Sequence, residues 1–304
     1  MSFNTDSHYE IGCSHKVCED FAIHGSFEAP NGSILHYGIV SDGCSSSMNE
    51  GGVRNPINVD IGARLLCLVA KQVIRESLPT LKVLDVGLYT SLRCSIMSKI
   101  DIQLRQLNLP IPVVDCTLLV NVVYENKGFT AIFGDGVFVR ECDSYIEIFI
   151  IGYESGAPYY MAYHLDGERD LRYKKKFGDG KKTIKRIIFN KNEGTFEEQN
   201  SSMEYNSCLF YITDIDVFPN LRSSIISDGV LTYQMKNSKG CEKLDIPPRV
   251  IIPKLTNVNG VNGNFLGRIM NLVHRWERNE EVAHYDDMSI SSIIQLPQKD
   301  EIDG

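Results

Sequence analysis

The 304-residue sequence lacks the features that mark membrane and secreted proteins. No apolar run approaches the roughly 20 residues of a membrane-spanning helix, and the polar N-terminus has no signal-peptide core. The nine cysteines are odd in number and include no CxxC pair, which argues against a disulfide framework or a cysteine-rich zinc site. We therefore expect a soluble, cytoplasmic protein with free thiols and no membrane partner.

The sequence also has fewer basic than acidic residues. The chain has 31 Lys and Arg residues against 39 Asp and Glu residues, which gives a formal net charge of −8. A net acidic protein is a poor general binder of nucleic acid, so no nucleic-acid partner is expected. The exception is the basic stretch 169–191, which is either a solvent-exposed hairpin that turns at 178–180 or a patch for an acidic or phosphorylated partner. We favour the hairpin.

Two common catalytic motifs are missing. Gly134-Asp135-Gly136 is not followed by the Lys and Ser or Thr of a phosphate-binding P-loop, and no Gly-x-Ser-x-Gly elbow of a serine hydrolase occurs. Apolar residues make up 43% and charged residues 23% of the chain, which is typical of globular proteins. Because no linker or internal repeat divides the chain, we predict one domain over residues 1–296 and a polar tail over 297–304.

Short apolar or β-branched segments dominate the pattern, and turn residues end most of them. Three helices are predicted from apolar positions at helical spacing: 61–76 with Asp60 as its N-cap, 87–107, and 263–279. The first two helices are adjacent and many strands follow one another, so a βαβ array is excluded and an α+β fold with antiparallel sheets is favoured. The predicted strands are 33–41, 116–124, 128–133, 137–140, 145–152, 159–163, 184–190, 208–213, 223–227 and 289–295.

Acidic residues stand where apolar strands end or begin. Asp42, Asp135 and Asp228 each follow a predicted strand and precede a glycine, while the pairs Glu19-Asp20 and Asp286-Asp287 each precede an apolar segment. Converging carboxylates would repel one another unless cations neutralised them, and their hard oxygen atoms suit Mg²⁺ or Mn²⁺. Spacing alone leaves open the alternative of five independent strand-end turns.

The order and context of these motifs resemble a metal-dependent protein phosphatase of the 2C type (PPM family), in its bacterial form. Each motif is short, but six of them follow the family order between residues 12 and 294 and so cover nearly the whole chain. The matching segments are 12–15 with 18–20, 39–43 with 61–64, 115–119, 133–136, 225–229 and 286–290.

The resemblance implies an α-β-β-α sandwich, in which two antiparallel sheets carry helices on both outer faces. It also implies a binuclear Mn²⁺ or Mg²⁺ site whose bridging water or hydroxide attacks a phosphoryl group in line. By position, Asp42 would bridge both metals, and the Gly43 carbonyl would assist it. Glu19 would hold one metal, and Asp228 and Asp286 would hold the other.

Four more positions matter for the resemblance. Asp20 would orient a bound water and is the second catalytic candidate beside the bridging carboxylate, and Asp135 would help to bind a weaker third metal. His15 stands where many family members have an arginine that grips phosphate. With Lys16, it is a candidate substrate contact, and a structural histidine is the alternative. Cys44 stands where many members have a histidine, and we interpret it as a small packed residue rather than a metal ligand.

The resemblance therefore implies a serine/threonine protein phosphatase, whose partners would be a phosphorylated protein and a cognate serine/threonine kinase. Two alternatives remain: a catalytically silent member that keeps the fold as a binding or scaffold module, and a metal-dependent phosphomonoesterase for a small molecule. Silent members usually lose a metal ligand, whereas every ligand position is kept here, so catalysis is favoured.

Overall fold

The computed structural model describes residues 1–44, 58–77, 86–178, 180–218, 220–235, 244–256 and 262–296. Over these residues, a seven-stranded, a five-stranded and a two-stranded sheet form together with five α-helices. The strands are β1 (Phe3–Glu10), β2 (Phe21–Glu28), β3 (Ile34–Ser41), β4 (Leu118–Tyr124), β5 (Lys127–Phe133), β6 (Gly136–Glu141), β7 (Tyr145–Tyr153), β8 (Lys181–Asn190), β9 (Thr195–Glu204), β10 (Leu209–Asp214), β11 (Arg222–Ile226), β12 (Tyr233–Met235), β13 (Val282–His284) and β14 (Met288–Gln295). The helices are α1 (Val59–Ser77), α2 (Val86–Leu107), α3 (Gly167–Phe177), α4 (Pro248–Thr256) and α5 (Phe265–Asn279).

The two large sheets pack face to face, with helices on both outer faces. One sheet has the strand order β1-β14-β11-β6-β7-β8-β9, and the other has the order β10-β5-β4-β3-β2. Helices α1 and α2 cover the five-stranded sheet, and α4 and α5 cover the seven-stranded sheet. The α-β-β-α sandwich implied by the motif resemblance is therefore confirmed.

Apolar side chains fill the interface between the two sheets. Phe138 of the seven-stranded sheet is fully buried, and its ring stacks on that of Phe149 at a centroid distance of 5.5 Å. Val40 and Leu119 of the five-stranded sheet belong to the same buried cluster. Burying one phenylalanine side chain contributes about 1.5–3 kcal/mol, so this interface stabilises the sandwich on which the strand ends are held.

Most predicted strands and all three predicted helices are confirmed, with bounds that differ by a few residues. The predicted strand 159–163 is wrong. This segment leads into a 3-10 helix, Met161–Leu165, because its aromatic rings pack on one another instead of alternating across a sheet. Helix α1 begins at Val59, so Asp60 is not the N-cap but lies in the first turn, where a negative charge still favours the helix dipole.

The basic stretch 169–191 is not the hairpin that we favoured from the sequence. Its first part belongs to helix α3, and its second part is strand β8. Asp166 caps α3 by accepting hydrogen bonds from the backbone N–H groups of Glu168 and Arg169, and such a cap favours a helix over an extended strand. Residue 179, in the centre of the predicted turn, lies outside the described residues.

Strand β9 was missed because it carries no strand signal. Nearly all of its side chains are exposed, so its sequence, TFEEQNSSME, does not alternate between apolar and polar residues. It forms by pairing along the whole length of β8. Strand β1 and helix α4 were also not predicted.

Other expectations stand as follows. The eight cysteines that the structure describes are all free thiols, as expected. No helix in the described ranges is both long and apolar enough to span a membrane. The single domain over 1–296 stays a prediction, and the tail 297–304 lies outside the described residues.

Candidate metal centre

Four strand ends bring one aspartate each to a common cleft. Asp42 follows β3, Asp135 joins β5 to β6, Asp228 follows β11, and Asp286 joins β13 to β14. All four line a cleft of about 410 Å³ together with Gly43. The structure thus brings together five of the six positions that were predicted to bind metal.

Close backbone pairing sets the distance between the last two acidic corners. The Ser227 N–H donates to the Ser289 carbonyl at 2.9 Å, and the Ser289 N–H donates to the Ser227 hydroxyl at 2.9 Å. A Cβ on Gly229 would lie 1.7 Å from the Asp287 carbonyl oxygen. Position 229 therefore requires glycine, because the two corners approach too closely for any side chain.

The cleft aspartates are electrostatically unfavourable to one another. Burial raises the pKa of Asp42 well above the usual aspartate range, and the charges of Asp20 and Asp228 raise it further. Burial and the charge of Asp228 raise the pKa of Asp135 well above the usual aspartate range. The same two causes raise the pKa of Asp286. Ionising all of these carboxylates is therefore costly unless a cation is bound among them.

Asp20 is the most deeply buried of the predicted acidic site residues. It is 1% exposed and lies beside Asp42, Ser227 and Ser289. Neither of its carboxylate oxygens makes a well-formed hydrogen bond to a described residue. Burial raises the pKa of Asp20 to about 7. The hydrogen-bonding side chains of Asp42, Ser227 and Ser289 lower this pKa only in part, and none of them is basic. A buried carboxylate without a basic partner is suited to a nearby cation.

The donor atoms of the cleft fit Mg²⁺ or Mn²⁺. The acidic groups offer carboxylate oxygens, which are the hard ligands that these ions prefer. Glu19, the sixth predicted ligand, has a buried Oε2 without a hydrogen-bond donor among the described residues. It does not line the cleft, but it places a ligand atom within 4.8 Å of ligand atoms of His15 and Asp287. These observations agree with a group of cation ligands.

His15 is held by carboxylates at the edge of this group. Its Nδ1 lies 2.9 Å from Asp287 Oδ2, and its Nε2 lies 3.3 Å from Asp286 Oδ1. Burial lowers the pKa of His15, but the hydrogen bond and the charge of Asp287 raise it, and the net direction is upward. Asp287 also accepts from the backbone N–H groups of Gly12 at 2.8 Å and Glu19 at 2.6 Å. Asp287 thus ties the Glu19 loop to the Asp286 corner, a role that sequence reasoning missed.

The opposite wall of the cleft was not expected from the sequence. It consists of residues 156–158, Tyr160 and Tyr163. The incorrect prediction of a strand at 159–163 left these residues out of the site. The Gly-Ala-Pro segment before the tyrosines could have indicated a turn there. The described residues that line the cleft include no Lys, Arg or His. His15 and Lys16 are therefore not part of this lining, and their role as substrate contacts stays a prediction.

Cys44 forms part of the cleft beside Tyr160. It is half-buried and packs on the core under α1 and α2. Its backbone N–H donates to the Asp115 carbonyl at 2.9 Å. This placement agrees with our interpretation of Cys44 as a packed residue.

The sandwich and its carboxylate-lined cleft define a protein with the 2C-type phosphatase fold, and solved structures agree. A substituted form of a bacterial serine phosphatase matches with a TM-score of 0.51 at 12% identity, over 98% of this chain and 100% of that chain. The serine/threonine phosphatase PstP/Ppp of Mycobacterium tuberculosis matches with a TM-score of 0.50 at 11% identity, over 97% and 99%. Stp1 of Staphylococcus aureus matches with a TM-score of 0.50 at 12% identity, over 98% and 96%.

No protein-family model matches the sequence, and no curated protein matches it significantly. The structural matches share 11–12% of their residues with this chain. At this level of identity, the similarity establishes the fold, and the chemistry has to be argued from the site itself.

Proposed function

We propose that this chain is a metal-dependent serine/threonine protein phosphatase with a binuclear Mn²⁺ or Mg²⁺ site. One observation carries the proposal: four strand ends direct Asp42, Asp135, Asp228 and Asp286 to one cleft, with the buried Asp20 beside them. Such a group of carboxylates is stable in its ionised form when cations are bound. The fold shared with bacterial serine/threonine phosphatases supports the same assignment.

The residues that would hold the two ions are Asp42, the Gly43 carbonyl, Glu19, Asp228 and Asp286. When bound, two such ions would lower the pKa of a shared water and offset the charge that develops on the phosphoryl oxygens. Asp135 would contribute to a weaker third site.

The other residues of the site would position water and substrate. The Asp20 carboxylate would accept a hydrogen bond from the attacking water and hold it in line with the phosphorus atom. Tyr160 and Tyr163 would narrow the cleft and limit the access of bulk solvent. Because the described lining has no Lys, Arg or His, the leaving alkoxide would take its proton from water or from another group of the cleft, such as the Tyr160 hydroxyl.

Hydrolysis of a chromogenic aryl phosphate and of a phosphothreonine peptide tests the proposal. We expect activity with Mn²⁺, its loss in EDTA, and a reduction of about 10³-fold or more in Asp42→Ala, because a bridging carboxylate would be removed. Asp101→Asn, a surface change on α2, serves as the control. Activity that survived both EDTA and Asp42→Ala would disprove the binuclear mechanism.

A second candidate function is a catalytically silent, phosphatase-like binding or scaffold module. Two observations favour it: His15 is held by Asp286 and Asp287, and the described cleft lining offers no basic side chain for a substrate phosphate. Calorimetric binding of Mn²⁺ without hydrolysis of either ester would support this alternative over catalysis.

We also propose a phosphorylated protein as the substrate, a cognate serine/threonine kinase as the functional partner, and the cytoplasm as the location. The free thiols of the eight described cysteines suit a reducing compartment. Dephosphorylation of proteins that such a kinase has phosphorylated, measured with purified components, would test the pairing.

A further inference from the structure

The basic stretch 169–191 consists of two parts whose charges are used differently. On β8, Lys185 lies 2.8 Å from Glu198, and Arg186 pairs with Glu147. Lys182 is buried, and its Nζ donates to the Ser207 carbonyl at 3.1 Å. The basic groups of this strand are therefore largely occupied within the sheet.

The basic groups of α3 are more available. Arg172 and Lys175 are exposed and have no acidic partner within the described part of the chain, whereas Lys174 lies 2.6 Å from Asp170. Leu171 is 66% exposed. Lys175 lies three positions from Arg172 and four from Leu171, so the three side chains occupy one side of the helix around Lys175. We call Leu171, Arg172 and Lys175 the outer face of α3.

The inner face of α3 supports the cleft wall. The Tyr173 hydroxyl donates to the Ala157 carbonyl at 2.6 Å, and the rings of Tyr173 and Tyr163 are 5.1 Å apart. Arg169 lies 5.0 Å from the Tyr163 ring and pairs with Asp115. Ala157 and Tyr163 both line the cleft, so the outer face of α3 stands about one helix diameter, roughly 10 Å, beyond it.

We propose that the outer face of α3 binds an acidic segment of the phosphoprotein substrate while the phosphorylated residue occupies the cleft; this inference rests on the proposed function. A chain in the extended form covers about 3.3–3.6 Å per residue. The acidic residues would therefore lie about three to six positions from the phosphorylated one.

A protein ligand fits this face better than nucleic acid or a membrane. The outer face of α3 has only two cationic residues, Arg172 and Lys175. The whole chain carries a formal net charge of −8, which opposes the binding of a large polyanion. Leu171 beside them offers apolar surface that a peptide side chain can bury.

The test compares kcat/KM for two phosphothreonine peptides. One carries Glu residues three to six positions from the phosphothreonine, on either side, and the other carries Ser there. We expect the wild-type protein to prefer the acidic peptide by about tenfold, and Arg172→Gln/Lys175→Gln to reduce this ratio to about twofold, since each exposed charge pair is worth only a modest free energy. Raising the ionic strength should reduce the wild-type ratio in the same way.

Lys71→Gln/Arg75→Gln is the matched control, because it removes two exposed cations from another helix and so changes the net charge equally. This variant should keep the wild-type ratio. Thermal unfolding of both double variants identifies any loss that comes from the favourable interaction of basic residues with the C-terminal end of a helix.

Binding experiments separate this inference from the proposed function. A fluorescent acidic peptide with a non-hydrolysable phosphonate needs no catalysis, and its anisotropy should show weaker binding to Arg172→Gln/Lys175→Gln than to wild type. Equal binding by the two proteins would overturn the inference even if the phosphatase activity were established. A loss of binding to polyuridine or to anionic vesicles, without a loss for the peptide, would overturn it as well.

Discussion

Two equally buried carboxylates have opposite surroundings in this molecule. Asp20 beside the cleft is 1% exposed, and Glu147 on β7 is 2% exposed. Glu147 pairs with both Arg140 and Arg186, so the chain supplies its counter-charge. The side chains beside Asp20 are Asp42, Ser227 and Ser289, none of which is basic, and the charge of Asp228 raises its pKa further.

This difference separates a structural charge from a functional one. The Glu147 group is complete within the folded chain, so removing one charge leaves its partners unbalanced. The cleft group becomes balanced when a cation is added from solution, so removing one charge relieves repulsion. The two regions should therefore respond in opposite directions to the same kind of substitution, and only one of them should respond to metal.

The largest change in stability is expected at Glu147 and its two arginine partners. Glu147→Gln should lower the free energy of unfolding by about 3 kcal/mol, because Arg140 and Arg186 lose the carboxylate that both contact. Urea denaturation measures this change. Glu198→Gln, which removes an exposed carboxylate 2.8 Å from Lys185 in the same sheet, should change stability little. Equal losses of unfolding free energy in the two variants would mean that the buried ion pairs of Glu147 contribute no more than the surface pair of Glu198 and Lys185.

Metal binding should stabilise the folded protein only through the carboxylates of the cleft. Mn²⁺ at 100 times its Kd should raise the free energy of unfolding by about 2.7 kcal/mol relative to protein in EDTA. Glu147→Gln should show the same increment, whereas Asp42→Asn should lose most of it, because a bridging ligand is gone. A wild-type protein that gained no stability from Mn²⁺ or Mg²⁺ would contradict the assignment of the cleft as a metal centre.

Without metal, Asp42→Asn should make the protein more stable. Replacing Asp42 removes one of several carboxylates whose charges raise one another's pKa, and the gain should be about 1 kcal/mol, a common size for one stabilising substitution. Denaturation in EDTA measures it. Asp101→Asn removes a surface charge that lies 2.7 Å from Arg105 and should give no such gain. A loss of stability in Asp42→Asn would mean that the cleft aspartates do not repel one another.

The acidic corners could be predicted from the sequence because each depends on local features. An apolar strand that ends in Asp-Gly fixes both the direction of the strand and its turn, as at Asp42 and Asp228. The clamp formed by Asp287 could not be predicted, because it depends on which backbone N–H groups lie opposite it in space. The cleft wall that contains Tyr160 and Tyr163 could not be predicted for a similar reason. Its rings pack on residues of α3, a helix that the sequence pattern did not predict.

The same raised pKa values make the stability of the metal-free protein depend on pH. The pKa values of Asp42 and Asp135 are raised and that of Asp20 is about 7, whereas an aspartate in the unfolded chain titrates near about pH 4. Between these values, the folded protein binds more protons than the unfolded chain. The free energy of unfolding in EDTA should therefore fall as the pH rises from about 5 to about 7, because each of these groups is ionised in the unfolded chain and still largely protonated in the folded one.

Bound Mn²⁺ should reverse this slope, because cations favour the ionised carboxylates and bind more tightly as the pH rises. Asp42→Asn in EDTA should show a flatter slope than wild type, since one of the repelling charges is absent. Glu147→Gln should keep the wild-type slope, because its carboxylate lies outside the cleft. If Glu147→Gln flattened the slope and Asp42→Asn did not, the pH dependence would belong to the ion pair, and the contrast between the two buried carboxylates would be lost.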